Sequence, residues 1–486
     1  MNFLLIVEEV VKKIDMKKLL ILLLIPLFSC NSILNSSPRS PNFILILTDD
    51  QGWTSTSVKM SEKIEMSKSN YFETPNLERL AKNGMRFSRG YSAAPVCSPS
   101  RYSIQFGQTP ARLSMIRVGM NTNHINHNSH VTIPKILKKI NPKYVTGHFG
   151  KWGIDVAPSI LGYDFDDGSN GNKEGVFTNN KSQWEVEISE DPKNIFSLTK
   201  KSIDFIKDQA KSKSPFFLQI SHYAIHTNIM TNKSALDKYK SKESTDIHKN
   251  AGYAGMIENL DDGLGLILNK LDELGLLENT YIIYTSDNGS VPTIPARKFY
   301  KKGINFPLSR GKWDAMEGGV RVPFIIAGPG IKKGSQSNTP VIGYDLLPTI
   351  IDIVNPSFIP DKNIDGGSFK NILFSEIDGK ITRAYKGLFF HVPYENKIAL
   401  ERAHSSVIQD NFKLIKYRDN NEVRLFDLES DISETKNISE IYPSIAKDLE
   451  ILMDGYLKDV NSIKWKEGLN WKNVDINKVN SFYSHN

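Results

Sequence analysis

The chain reads as an α/β protein: a large domain built on a mostly parallel sheet, followed by a small domain with an antiparallel sheet and a helix. Three observations predict this. Apolar runs of strand length alternate with segments of helical spacing between residues 43 and 284, the pattern of strand-helix-strand units. Four of those runs end in polar residues, at the place where open α/β sheets hold their ligands. Past Arg383 the texture changes to short strand-like runs joined by polar turns such as Asp419-Asn420-Asn421.

In chain order, Phe43-Ile44-Leu45-Ile46-Leu47 lies between Pro41-Asn42 and Thr48-Asp49-Asp50. Unbroken rather than alternating hydrophobicity marks a strand buried on both faces. Asp49 and Asp50 then stand at its carboxyl end. Adjacent acids also occur as a helix N-cap and its solvated neighbour, but a place directly after a core strand favours a site. Thr74-Pro75-Asn76, with Leu77, Leu80 and Ala81, predicts a helix ending near Asn83-Gly84. Residues 85–94 predict a strand and turn that lead into Cys97-Ser98-Pro99-Ser100-Arg101. Residues 101–105 read as the first turns of a helix, whose N-terminus favours an anion beside Cys97.

His124, His127 and His130 recur every third residue in an Asn-rich stretch. Helix-forming residues are missing around them, so they read as a polar surface or substrate-facing loop rather than a metal cluster. A strand at 144–149 runs into Gly150-Lys151-Trp152-Gly153, and a helix follows at 203–210. A strand at 216–222 runs into Tyr223-Ala224-Ile225-His226-Thr227. Residues 253–274 carry helical spacing and stop at Gly275. A core strand at 281–284 runs into Thr285-Ser286-Asp287-Asn288-Gly289. Asp-Asn-Gly by itself is a turn signal; following a core strand, it counts as part of a site. Beyond Arg383, strands are predicted at 387–392, 405–409, 413–417 and 423–427, with a helix at 442–457 packed on them.

With 486 residues the chain can bury a large core, and its apolar, aromatic and charged fractions are those of an ordinary globular protein. The formal charge of +7 suits an anionic substrate, although a Lys-rich composition alone gives the same number. No heptad run or fixed-period repeat appears, and nothing calls for a nucleic-acid partner. At the N-terminus, Met16-Lys17-Lys18 precedes an apolar run at 19–28 and then Ser29-Cys30. That is the layout of a secretory signal, with residues 1–15 reading as a misplaced start. Leu27-Phe28-Ser29-Cys30 is similar to a bacterial lipobox, which would put a lipid on Cys30; the alternative is a plain cleaved signal. Either way the expectation is an exported protein, in the periplasm or on the outer membrane. Residues 1–40 are thus targeting segment and linker, 41–382 the large domain and 383–486 the small one.

Two cysteines are too few for a disulfide framework or a Cys-rich metal site. Taken alone, Cys97 is a small half-buried thiol beside a turn, with Pro99 and Ser100 starting a helix. The five-residue string reads C-x-P-S-R, however, and resembles the maturation signature of the type I sulfatases, in the alkaline phosphatase superfamily. Further ordered motifs extend the resemblance from about Asn42 to about Ile438: Asp49-Asp50, Gly150-Lys151-Trp152, Ile225-His226-Thr227, Asp287-Asn288-Gly289, Arg310-Gly311-Lys312-Trp313 and Glu317-Gly318-Gly319-Val320-Arg321. It implies a large domain with a mixed sheet between helices. Phe412-Lys413-Leu414-Ile415 and Leu425-Phe426-Asp427-Leu428 resemble strands of that family's small C-terminal domain.

The resemblance also implies a chemistry. Cys97 would be oxidised to Cα-formylglycine by a formylglycine-generating or anaerobic sulfatase-maturating enzyme. One hydroxyl of the aldehyde hydrate would attack sulfur, and the second would later release sulfate. Asp49, Asp50, Asp287, Asn288 and an oxygen of modified Cys97 would hold a hard cation, Ca²⁺ or Mg²⁺. Arg101, Lys151, His226 and Lys312 would bind the sulfuryl group, with His226, and Lys312 beside it, protonating the leaving oxygen. The expected activity is hydrolysis of sulfate esters on a carbohydrate, an algal polysaccharide such as ulvan or its oligosaccharides. The family commonly reads Gly-Lys-Trp-His, and this chain has Gly153 there; His148 and His222 are the candidate replacements. Two other readings stay open: a phosphomonoester or phosphonate ester hydrolase of the same superfamily, and a non-catalytic glycan-binding lipoprotein.

Overall fold

Eight strands form the central sheet of the computed structural model, which describes residues 39–294, 302–357, 359, 363–395, 402–464 and 472–473. The predicted signal, the Cys30 motif, most of the linker and most of the polar C-terminal tail lie outside the described residues. The strands are β1 (Asn42–Thr48), β2 (Gly84–Phe87), β3 (Val145–Gly150), β4 (Phe165–Asp166), β5 (Phe216–Ser221), β6 (Thr280–Ser286), β7 (Phe324–Ala327) and β8 (Ser335–Ser337). Their spatial order is β8-β2-β7-β6-β1-β5-β3-β4. β7 runs antiparallel to both its neighbours, and the remaining pairs are parallel.

β1 is buried along its whole length, as its unbroken apolar run requires. The period of two sends Phe43, Leu45 and Leu47 into one core and Ile44 and Ile46 into the other. On the Ile44 side pack α1 (Pro75–Lys82), α4 (Ile195–Ser212) and α5 (Ala251–Glu273), through Leu77, Leu198, Phe205 and Leu264 among others. On the Phe43 side pack α2 (Cys97–Phe106), α3 (Ile133–Ile140) and α6 (Leu346–Val354), through Tyr102, Ile136 and Leu347. The sheet is therefore covered on both faces, as a largely parallel sheet must be.

Element positions differ from expectation where local chemistry hid a boundary. The helix expected at 203–210 begins two turns earlier, at Ile195. Its start is capped from a distance: the Asp191 side chain accepts from the Phe196 N–H at 2.7 Å, across Lys193 and Asn194, which both have positive φ. The strand and turn expected at 85–94 resolve into β2 and the two-residue strand Gly90–Tyr91, which pairs with Val341–Ile342.

The C-terminal region forms an antiparallel meander of β9 (Leu388–Val392), β10 (His404–Gln409), β11 (Phe412–Tyr417) and β12 (Val423–Asp427). Helix α7 (Pro443–Asp459) covers it, packing Leu449, Met453 and Tyr456 against Val407, Leu414 and Leu425. Among the described residues no helix is long and apolar enough to cross a membrane.

The sheet register fixes where the polar residues emerge. Thr48 of β1 lies opposite Ser286 of β6, Leu47 opposite Ser221 of β5, and Gly150 of β3 also opposite Ser221. Three neighbouring strands beside β1 therefore end at one level. Asp49, Asp287, His222 and Lys151 are the first residues past that edge.

Candidate active site

Cys97 is the first residue of α2 and is buried. The Ser100 hydroxyl accepts from the Ala94 N–H and donates to the Ala94 carbonyl, both at 3.0 Å. That pair clamps the turn before the helix and fixes the direction in which Cys97 enters. Pro99 sits in the first turn, where its missing N–H leaves no bond unmade. Arg101, one turn along, reaches the same side of the helix.

The strand ends bring six charged groups together. Lys151 Nζ lies 2.5 Å from Asp49 Oδ2, Lys312 Nζ 2.7 Å from Asp50 Oδ1, and Arg101 Nη2 2.8 Å from Asp287 Oδ2. Asn288 donates from Nδ2 to Asp50 Oδ1 at 2.7 Å, and the Asp50 N–H donates to Asp287 Oδ1 at 3.2 Å. All of these side chains are at least 95% buried. Backbone bonds lock the loops that carry them. The Lys151 N–H donates to the Ser221 carbonyl at 2.8 Å, the Lys312 N–H to Ser290 at 3.0 Å, and the Trp313 N–H to Pro95 at 2.8 Å. Gly150 precedes Lys151 with φ +90°, and a Cβ there would lie 2.1 Å from the Ser221 carbonyl oxygen. Only glycine makes this exit from β3.

The electrostatics of the cluster are unbalanced in a telling way. Burial works to raise Asp49, but Lys151, His226, Arg101 and Lys312 together hold it well below the usual carboxylate range. Burial pushes Asp50 up against the pull of Lys312, and the Asp49 charge adds to the rise. Burial and then Asp49 push Asp287 up to about 6 despite Arg101. Burial works to lower Lys312, and Asp50 outweighs it, holding the ammonium above its ordinary value. Three carboxylates and three cations match one for one, which leaves no surplus positive charge for an anionic substrate. Carboxyls raised by one another mark a site short of a central positive charge.

A divalent cation fits that gap. Among the described residues Asp49 Oδ1 and Asn288 Oδ1, both buried, have no hydrogen-bond partner, an expensive arrangement unless something else satisfies them. Ligand atoms of Asp49, Cys97 and Asp287 lie within 4.8 Å of one another, as do those of Asp49, Asp50 and His226. Three carboxylates and an amide oxygen form the donor set of a hard ion. Among the described residues, the His124, His127 and His130 stretch forms no such group. His127 Nε2 bonds the Tyr102 hydroxyl at 3.2 Å, His124 Nε2 bonds the Leu113 carbonyl at 2.8 Å, and His130 stacks on Phe106. The stretch is a loop with exposed Asn residues, as expected, and its three histidines pack half-buried against α2 and its surroundings.

Beside Cys97 a cavity of about 530 Å³ opens, with His226, Lys312 and Trp313 in its wall. Burial and then Lys312 push His226 well below its ordinary value, so the ring is neutral. Its Nδ1–H is assigned as donor to the Thr227 carbonyl at 2.7 Å. Nε2 is left 3.7 Å from Asp50 Oδ2 and 3.4 Å from Asn172 Nδ2. His148 and His222 do not line the cavity. His148 bonds Ser221 Oγ at 3.1 Å with its ring against Trp152 and Tyr163, and burial pushes it down to about 3. Burial pushes His222 down to about 4. Gly153 has φ +69°, and a Cβ there would lie 3.1 Å from Arg101 Cδ. Position 153 therefore does face the cluster, but through a backbone that suits glycine.

All nine candidate residues converge: Asp49, Asp50, Cys97, Arg101, Lys151, His226, Asp287, Asn288 and Lys312. The cavity wall adds residues the sequence did not flag, including Asn172, Phe177, Gln183, Trp184 and Trp313. Trp313 follows Lys312 in a motif already singled out. The others belong to an aperiodic loop with no signal of its own. Trp313 is held at φ +79°, a left-handed conformation that costs a bulky residue on the order of 1–3 kcal/mol and tends to cluster at functional sites.

Comparison with known proteins agrees with this geometry. The Sulfatase family model matches residues 41–356, and the model for the N-sulphoglucosamine sulphohydrolase C-terminal region matches residues 312–457. A sulfatase of Formosa agariphila is 28% identical over 90% of this chain and 91% of its own length. The N-acetylgalactosamine-6-sulfatase of Rattus norvegicus is 31% identical over 71% of this chain and 68% of its own. Among solved structures, Ps i-CgsB in complex with k-i-k-neocarrahexaose superposes with a TM-score of 0.70 at 24% identity, covering 87% of this chain and 93% of that one; this similarity shows a common fold. The chain belongs to the sulfatase family, in the alkaline phosphatase superfamily, and is a sulfuric ester hydrolase.

Proposed function

We propose that the chain removes sulfate from a sulfated carbohydrate, an algal polysaccharide such as ulvan or its oligosaccharides. The reaction would use a formylglycine made from Cys97 and a Ca²⁺ ion. One observation carries this reading: the Cys97 side chain shares a buried cluster with Asp49 and Asp287, and that cluster holds unpaired Asp49 and Asn288 oxygens. The carbohydrate is supported by the sugars in the names of the rat relative and the solved complex.

Asp49, Asp50, Asp287 and Asn288 would hold the ion, and Mg²⁺ suits the same oxygens. Bound there, the cation supplies the Lewis acidity that makes a residue-97 hydroxyl nucleophilic near neutral pH. With Asp49, Asp50 and Asp287 so compensated, Lys151, Lys312 and Arg101 face the sulfuryl oxygens, and their fixed charges stabilise the transition state without rearrangement. Lys312 stays charged and lies beside the cavity, so it would steady the leaving oxygen with a hydrogen bond. His226 presents a neutral Nε2 to the same space, oriented by the Thr227 carbonyl. There it would take up the proton that the attacking hydroxyl sheds and give it to the leaving oxygen. The aldehyde is made before turnover by a formylglycine-generating or anaerobic sulfatase-maturating enzyme. Export, with a lipid on Cys30 as membrane anchor, completes the proposal.

The test is sulfate release from a panel of sulfated oligosaccharides, with NMR to identify the freed hydroxyl. Inorganic sulfate from at least one glycan is expected. Hydrolysis of aryl phosphate ahead of aryl sulfate, with no glycan desulfated, would favour the phosphoester reading instead.

A further inference from the structure

The described wall of the cavity beside Cys97 carries charge only in the cluster around that residue. Among its described lining residues, the ionisable side chains are Cys97, His226 and Lys312, all part of the sulfate-facing cluster. The rest of the described wall is aromatic, amide, hydroxyl and aliphatic, the last from Val118 and Val291. Trp313, Trp184 and Phe177 supply ring surface, and Asn172 and Gln183 supply amides. Phe177 stands edge-on to His226, with ring centres 4.7 Å apart and planes at 88°. That contact fixes one ring at the boundary between the charged and uncharged ends. Trp313 is set at the same boundary by its left-handed backbone and its N–H bond to Pro95. Two residues of this wall also bury a polar atom that has no partner among the described residues: Trp184 Nε1, a donor, and Asn172 Oδ1.

These features select a ligand chemistry. A pyranose ring offers an apolar C–H face, which aromatic rings cover, and a rim of hydroxyls, which amide and hydroxyl side chains pair. A carboxylate on that ring would lose its hydration against this wall, where the described lining residues offer no cation outside the cluster to replace it. The volume of about 530 Å³ lies within the about 300–1,000 Å³ of small-ligand sites, larger than a sulfate group needs. We infer that this wall is a specificity-determining subsite for the pyranose ring of a sugar uncharged apart from the departing sulfate, a hexose, deoxyhexose or N-acetylhexosamine. It discriminates against sulfated hexuronic acids. The inference rests on the sulfatase reading above and adds the class of the alcohol.

The experiment measures kcat and KM for sulfate release from mono-O-sulfated neutral sugars and from hexuronic acids sulfated at the same positions. Mature enzyme is used, with 4-nitrophenyl sulfate as the check that it turns over. Neutral sugars are expected to be preferred by about a hundredfold in kcat/KM. Trp313→Ala is expected to raise KM for the best neutral sugar by about tenfold and to change kcat by much less. Trp313→Phe should recover most of that loss. The inhibition constant of inorganic sulfate, which reports the charged end, should stay within about twofold. If Trp313→Ala does not fold, Trp184→Ala carries the same expectation. A preference for hexuronic acid sulfates overturns the inference, as does a loss confined to kcat or a parallel weakening of inorganic sulfate. If 4-nitrophenyl sulfate itself is not hydrolysed by aldehyde-bearing enzyme, the sulfatase mechanism fails rather than this subsite.

Discussion

Two clusters of buried charge in this protein are made from the same kinds of side chain and are finished differently. In the first, Asp49, Asp50 and Asp287 face Lys151, Lys312 and Arg101, yet Asp49 Oδ1 and Asn288 Oδ1 have no partner. In the second, Glu317 takes Lys413 on one oxygen at 2.9 Å and Arg321 on the other at 2.6 Å. Glu434 faces the same Lys413 at 2.9 Å and accepts the Glu317 N–H at 2.7 Å. Burial works to raise Glu317, and Lys413 and Arg321 overcome it, bringing it down to about 2. Every carboxylate oxygen of the second cluster faces a hydrogen-bond or ion-pair partner within the protein, Glu434 Oε1 through the Lys413 ammonium alone. The second cluster also joins the C-terminal sheet to the loop that carries Lys312. Full pairing marks a clamp; unpaired buried oxygens mark a place kept for something else.

Cys97→Ala sharpens this contrast most. It should cut aryl sulfate turnover by about 10⁴-fold or more, while stability changes by about 1 kcal/mol. Lys413→Met should do the reverse. It leaves Glu317 and Glu434 buried against each other, at a cost of about 3–5 kcal/mol, visible as a lowered Tm in a protein whose residue 97 is still converted. Equal stability losses in the two variants would erase the distinction.

Ligand linkage gives the next effect. Ca²⁺ binding to the folded state alone should stabilise it by about 2.7 kcal/mol at a hundred times Kd. Thermal unfolding with Ca²⁺ and with chelator should show the gain in the wild type and in Lys413→Met, and its loss in Asn288→Ala. A Ca²⁺ shift that survives Asn288→Ala would place the ion elsewhere.

Much of the first cluster was legible in the sequence, because its residues follow core strands and the strand ends are recognisable from continuous apolar runs. Phe43 to Leu47 announces β1, and the register then determines what Asp49 meets. The position of β7 was not legible. Phe324–Ala327 reads like the other strands, and only its pairing with both β2 and β6 reveals its reversed direction. Nor was the second cluster, since Lys413 begins an ordinary strand and its partners lie 96 and 21 residues away. The His124, His127 and His130 stretch is a loop, as expected; its half-burial was not legible, because Tyr102 and Phe106, against which it packs, belong to a helix seen only in part.

The clamp also predicts a pH dependence. His404 Nε2 accepts the Ala315 N–H at 2.9 Å, and burial, helped by nearby cations and opposed by the Arg402 carbonyl, leaves the ring pushed down to about 4. The unfolded chain takes up a proton near pH 6.5 that the folded ring refuses. The stabilisation is complete above pH 6.5 and is lost as pH falls toward 4, by about 1.4 kcal/mol per pH unit for each such histidine. Denaturant unfolding at pH 7, 6 and 5 should show the fall, and His404→Gln should flatten its slope by roughly one proton. The smallest expected effect is at position 153. Gly153→Ala should cost on the order of 1 kcal/mol through its positive φ, with turnover retained. A larger loss of turnover than of stability would give that backbone a role in the reaction.

The most direct measurement is the mass of the proteolytic peptide containing Cys97, taken from protein made with a maturation enzyme, alongside sulfate release by the same preparation. An aldehyde mass is expected, with turnover proportional to the aldehyde fraction. Full turnover by protein whose Cys97 is entirely an unmodified thiol would contradict it.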